Sequence, residues 1–252
     1  MIGSFLSNQG KVRNHNEDAG GVYKNEEGQI LAVVADGMGG HQAGDVASQL
    51  AVSTLHNKWD ETSMIETPEI AEKWLEEAIT EVNQVILQHS REHEECRGMG
   101  TTVVVTICSN QFASVGHIGD SRVYLANSYG FKRVTEDHSL VNELVRSGQI
   151  SEEQAEHHPR KNILLKALGT DEHISPDIVT LDFEHDNRLM LCSDGLTNKI
   201  EEYELEKILD YSGDWVDYNQ SLVDLANDRG GEDNITVAIV HHSDPDTKEG
   251  VD

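Results

Sequence analysis

The stretch ILAVVADGMGGH, residues 30–41, is six apolar residues that stop at an aspartate, a glycine-rich turn and a histidine. The apolar run has strand length and is rich in β-branched residues, so it reads as a buried strand. A carboxylate at the mouth of a buried strand is costly unless something pairs with it. Asp36 is therefore the first candidate functional residue, and His41 is a second in the same turn.

The pattern recurs. Asp120 follows the strand-like VGHIG, Asp194 follows RLMLC and Ser193, and Asp233 precedes the strand-like ITVAIV. Three of these aspartates lie at C-terminal ends of strands and one at an N-terminal end. In an antiparallel sheet those ends can share one edge, so the four can converge on one rim. Like charges brought together need positive charge among them. An all-oxygen donor set suits hard cations, Mg²⁺ or Mn²⁺. Gly37, Gly39, Gly40, Gly119 and Gly195 flank these positions, where a missing Cβ lets a carbonyl or carboxylate come close. One Asp-Gly pair by itself is an ordinary turn; four such sites at strand ends favour a metal centre. The segment RNHNED adds Arg13, Glu17 and Asp18. An arginine near acids is usually a surface ion pair, but beside a metal site it can grip phosphate with its two-pronged guanidinium.

The formal charge of -27 over 252 residues repels phosphate backbones and anionic lipids, so neither nucleic acid nor a membrane surface is an expected partner. The length suits one large domain, and no linker or repeat divides it. Cys96, Cys108 and Cys192 are an odd set without close spacing, which fits a reducing cytoplasm, and Cys108 and Cys192 lie in apolar strand-like runs that would bury their thiols. No signal-type segment opens the sequence, and no apolar run is long enough to span a bilayer.

Strands and turns are expected over 1–36, with a hairpin turn at NEEG. A helix is expected over 41–58, and a second after Thr67-Pro68, striped by Ile70, Trp74, Ala78, Val82 and Ile86. Strands TTVVVTIC, FASVGHI, RVYLAN and FKRVT follow. A polar helical stretch, 139–168, contains a capping box at Ser151–Gln154. RLMLCS and NITVAIVHH are late strands, with helices near 201–210 and 214–228 between them. This block order points to α+β with antiparallel sheets.

The segments GKVRNHNED, VVADGMGGHQAG, GMGTT, GHIGDSRVYL, TEDHSLVNELVRSGQI, HHPRKNILLKALG, LCSDGL and EDNITV cover nearly the whole chain. Together they resemble a bacterial member of the metal-dependent protein serine/threonine phosphatases, the type 2C or PPM family. The resemblance implies a four-layer α-β-β-α sandwich of two antiparallel sheets flanked by helices, as one catalytic domain over 1–242. A flap over about 147–166 would cover the site, and a flexible tail would follow over 243–252. It implies two Mn²⁺ or Mg²⁺ ions bridged by Asp36, the Gly37 carbonyl on one, and Asp194 and Asp233 completing the other. Glu17 and Asp18 would act nearby, mostly through water. Asp120 would hold a third, weaker ion with Asp194, and Arg13 the substrate phosphate. In the animal form of the family a histidine directly follows the Asp-Gly pair as proposed general acid. Here Met38 stands in that place, leaving His41 or a metal-bound water as the proton donor. Phosphorylated proteins, a cognate Ser/Thr kinase among them, are the implied substrates of a cytoplasmic monomer.

Other phosphatase and nucleotide chemistries lack their residues: no cysteine has an arginine six positions on, and no Gly-Lys-Ser/Thr loop or Gly-x-Ser-x-Gly elbow occurs. A two-metal phosphodiesterase or nuclease conflicts with the charge. The presence of Asp36, Asp194, Asp233 and Arg13 together argues against a catalytically dead phosphoprotein binder, and a metal-stabilised structural domain would not need Arg13 or a flap.

Overall fold

The computed structural model describes residues 1–40, 43–209 and 215–243. The chain begins with strands β1 (Ile2–Asn8), β2 (Asp18–Lys24) and β3 (Ile30–Met38), then helices α1 (Ala43–Asp60) and α2 (Pro68–Glu92). After a 3₁₀ turn come β4 (Gly100–Thr101), β5 (Val103–Cys108), β6 (Phe112–Ile118), β7 (Arg122–Asn127) and β8 (Gly130–Arg133). Short helices α3 (Leu140–Arg146) and α4 (Glu152–Glu156) precede β9 (Asp177–Asp182) and β10 (Arg188–Cys192). Helices α5 (Asp194–Thr197), α6 (Glu202–Leu209) and α7 (Trp215–Asp228) lead to β11 (Ile235–His241).

Two antiparallel sheets result. One runs β1-β11-β10-β7-β8; the other runs β2-β3-β5-β6-β9, with β4 paired to the end of β3. The reading of ILAVVA explains their stacking. Successive strand side chains point to opposite faces. Leu31, Val33 and Ala35 enter a core shared with α1 and α2, while Ile30, Ala32 and Val34 enter the core between the sheets. A third core joins Met190, Cys192, Val237 and Ile239 to α5, α6 and α7. The layers are therefore helix, sheet, sheet, helix, the architecture the resemblance implied. Both faces of β3 are apolar because both are covered. All three cysteines are free and buried.

Several expectations are met locally. Asn25 and Gly28 close the hairpin turn, with Gly28 at φ 80°. Thr67 caps α2 and Pro68 opens it. Ser151 and Gln154 complete the capping box of α4. Other elements differ. The buried face of α2 is Ala71, Leu75, Ala78, Ile79, Val82 and Ile86, whereas Ile70 is 48% exposed. Trp74 is half-buried against the first core and donates to Thr62 Oγ1 at 2.9 Å, so it is a packing residue at that core's margin. The stretch 139–168 is helical only at α3 and α4. Neither the rest of it nor α3 itself buries a continuous apolar stripe, because most of its residues are exposed or half-buried. Strand β9 escapes the sequence pattern because it is an edge strand, half-buried at most, with acids at both ends. Residues 41–42, 210, 214 and 244–252, which belong to expected helix ends and to the expected tail, lie outside the described residues.

Candidate metal centre and active site

Asp36 keeps the alternation of Ile30, Ala32 and Val34, so its carboxylate enters the gap between the sheets at their rim. Its backbone is clamped from β4 and the residue after it. Asp36 N–H donates to Thr102 Oγ1 at 3.0 Å, and Thr102 N–H and Thr101 Oγ1 donate to Asp36 O, both at 2.9 Å. Gly37 follows where only glycine fits: a Cβ there would lie 2.0 Å from Gly44 O and 2.5 Å from Glu17 O.

Asp18 stands directly opposite Asp36 in the β2–β3 register. Like charges in that relation repel. Asp18 is 4% exposed; one oxygen accepts from Ser193 Oγ at 2.7 Å, and Oδ1 is buried without a hydrogen-bond partner. Burial, followed by Asp194 and Asp233, pushes its carboxyl up to about 7. Asp36 is raised well above the carboxylate range by burial and by the charges of Asp18, Asp194, Asp120 and Asp233.

Asp194 opens α5 one residue after Ser193 and is raised by burial and by Asp233, with Asn198 Nδ2 donating to it at 3.0 Å. The first turn of α5 also packs closely on the backbone of Asn234. Gly195 gives this approach its room: a Cβ would lie 1.9 Å from Asn234 O. Asp120 follows Gly119, whose φ is 109°, and burial with Asp194 and Asp137 raises it to about 7. The aspartates singled out in the sequence thus come together at one end of the sandwich, drawn from both sheets. An oxygen-only set, charge-crowded and holding an orphaned buried carboxylate oxygen, fits a divalent metal centre.

Arg13 also arrives there, but not as a free cation. Its Nη2 donates to Asp233 Oδ2 at 2.8 Å and its Nε to Glu232 O at 3.4 Å. Glu17 is half-buried and raised by desolvation, against the pull of Arg13. The organiser of this loop is Asn234, 4% exposed. Its Nδ2 donates to Gln9 O and His15 O, both at 2.9 Å, and its Oδ1 accepts from Glu17 N–H at 2.8 Å. Sequence reasoning gave no role to Asn234, Ser193, Thr101 or Thr102. Their only signal was adjacency to Asp233, Asp194 and the GMGTT segment. His41 lies outside the described residues.

The segment expected to form a flap is tied at its end to the start of α3. Leu140 N–H donates to Ile163 O and Leu165 N–H to His138 O, both at 2.8 Å, and Ser139 bridges Leu164. A cleft of about 730 Å³ is lined by Asp120 and Asp194, by Val141 and Val145 of α3, by Ala155 of α4, and by Glu202 and Tyr203. Among the described residues no helix is long and apolar enough to cross a membrane.

The two-sheet sandwich with a carboxylate rim beside a cleft is a metal-competent acidic design. The family described as Protein phosphatase 2C matches residues 9–235. The serine/threonine phosphatase stp of Listeria monocytogenes serotype 4b is 46% identical over 240 residues, 95% of each chain. The crystal structure of the serine/threonine phosphatase of Staphylococcus aureus superposes with a TM-score of 0.89 at 38% identity, over 94% of this chain and 93% of that one. The catalytic domain of the serine threonine protein phosphatase PstP, in complex with 2 manganese ions, superposes at 0.85 with 30% identity, over 96% and 98%. The chain belongs to the protein phosphatase 2C family, and it is a protein serine/threonine phosphatase.

Proposed function

We propose that this phosphatase uses Mn²⁺ or Mg²⁺ at the aspartate rim to hydrolyse phosphoserine and phosphothreonine in proteins, and so reverses a Ser/Thr kinase. The observation that carries the reading is the crowding of Asp18, Asp36, Asp120 and Asp194, each raised by burial and by neighbouring carboxylates. Such a set is unfavourable as bare anions and becomes favourable around cations.

Asp36, the carbonyl of Gly37, Asp194 and Asp233 would hold two ions, a number supported by the manganese-bound relative. Asp120 with Asp194 would hold a third, weaker one, and Asp18 and Glu17 would act from behind through water. Bound cations there supply the positive charge that acidifies a water and neutralises phosphoryl oxygens. The chain's own residues do the rest. Arg13 exchanges Asp233 for the substrate phosphate and orients it with paired N–H donors. The flap lies over the cleft and limits access of bulk water. His41 or a water protonates the leaving oxygen. Phosphoproteins, including the cognate kinase, are the proposed substrates, the cytoplasm the proposed compartment, and a monomer the proposed working unit.

The test is phosphate release from a phosphothreonine peptide, with Mn²⁺, with chelator, and by Asp36→Asn. Turnover should require Mn²⁺, and the variant should lose about a hundredfold or more with its fold intact. Turnover in chelator, or full activity of the variant, overturns the reading.

A further inference from the structure

His117, His138 and Asp177 gather outside the aspartate rim, with ligand-type atoms all within 4.8 Å. The composition would suit a transition metal, but the proton positions oppose one. His117 Nε2 donates to Glu136 O at 2.9 Å, leaving a lone pair on buried Nδ1. Gly119 N–H donates to His138 Nδ1 at 3.1 Å. That nitrogen therefore carries no proton, and the neutral ring keeps its proton on Nε2, 3.3 Å from Asp177 Oδ2. A metal on Nε2 would force the proton onto Nδ1, against the Gly119 N–H.

The same bonds give His138 another task. It grips Gly119 twice: its ring accepts the Gly119 N–H, and its own N–H donates to Gly119 O at 2.9 Å. Gly119 immediately precedes Asp120, and its Cβ position is only 2.5 Å from Thr102 Cγ2, so the turn has little freedom to relax. On its other side His138 holds the flap base, its carbonyl accepting Leu165 N–H at 2.8 Å. Asp177, beside the ring, also pairs with Lys166 Nζ at 3.2 Å. The His138 ring is stacked on His117 with centroids 4.6 Å apart and planes 13° from parallel. Through one ring bond and two backbone bonds, residue 138 thus joins the end of the flap to the turn that presents Asp120.

We propose that His138 is a positioning residue for the phosphatase reaction, setting the Gly119–Asp120 turn relative to the flap base. The proposal rests on the reading of Asp120 as a site ligand. Turnover of p-nitrophenyl phosphate at saturating Mn²⁺ is measured for His138→Leu, His138→Asn, His138→Gln, Asp120→Asn and the double variant His138→Leu/Asp120→Asn. His138→Leu should lower kcat about ten- to a hundredfold, the cost of a slightly misplaced group. Asn, whose Oδ1 takes the place of Nδ1, should restore most of it; Gln, which mimics Nε2, should not. In the Asp120→Asn background His138→Leu should add little, as expected of residues acting through one another. In the metal-free protein, hydrogen exchange at the Gly119 amide should be slow in the wild type and in His138→Asn, and faster in the other two single His138 variants.

Additive losses, rescue by Gln rather than Asn, or unchanged Gly119 exchange overturns the proposal. Full turnover by Asp120→Asn overturns the Asp120 reading and the proposal with it. A crippled Asp120→Asn beside a fully active His138→Leu overturns the proposal alone. The Asn and Gln variants keep the ring's polar character, so the comparison survives if His138→Leu fails to fold.

Discussion

Asp18 and Asp36 face each other across β2 and β3, a pairing that strands avoid unless something compensates. Asp36 was legible because an apolar run ends on it. Asp194 and Asp233 were legible because they sit beside strand-like runs. Thr102, Ser193 and Asn234 were not, because they carry no charge and act through hydrogen bonds to chain far away in sequence, such as Asn234 to Glu17. Such bonds exist only once the strands have paired. The proposed role of Arg13 also looks different in three dimensions, since it begins as a partner of Asp233. Arg13→Ala should raise KM for a phosphothreonine peptide about tenfold and change kcat much less, as for a lost binding contact. Steady-state kinetics on the peptide decides it, and an unchanged KM removes Arg13 from the phosphate.

Among the elements, β3 was read as a buried strand and is one, with its side chains divided between two cores. The α2 stripe was read with Ile70 at its head, but the helix turns Ala71 and Leu75 inward instead. A period of four drifts from the true helical period, so a stripe chosen by fours slides off the buried face. The 139–168 segment was read as more helical than it is. Its polar composition favours helix locally, but no packed face extends either short helix. The capping box carries proportionally more weight there. Ser151→Ala should cost α4 about 1 kcal/mol. With so little of the flap buried, that loss should appear as faster proteolytic nicking within 147–166, with the global Tm nearly unchanged. Limited proteolysis beside a melting curve separates this from a change in the whole fold.

At the scale of the whole molecule, block patterning pointed to α+β with antiparallel sheets, and the layer order came from the resemblance alone. Which strands lie beside which could not be read from the sequence, because β1 and β10 flank β11 from distant parts of the chain. The stability of the assembled sandwich should carry the signature of its rim. Unfolded aspartates ionise near pH 4, whereas folded Asp18 and Asp120 keep their protons up to about 7. Between those values the folded state binds more protons, so these groups make stability fall as pH rises. His241, lowered to about 4 chiefly by burial, works the opposite way below the ordinary histidine range. Above about pH 6.5, where unfolded histidine has lost its proton, the histidine effect has ended and the carboxylate effect outlasts it, opposed by the N-terminal amine that burial lowers. In chelator, Tm should therefore drop between about pH 6.5 and 8, and Mn²⁺ should reverse the drop while releasing protons. Melting curves across that range check it; a chelated protein that gains stability with pH contradicts the assigned protonation.

Strand β11 lies between β1 and β10 and is entered through Asp233 and Asn234, yet it follows every other described strand in the chain. A polypeptide with β11 not yet made lacks the strand that joins β1 to β10 and the residue that fastens the Arg13 loop. Translation products cut short before this strand should therefore be born silent, whatever else they have folded.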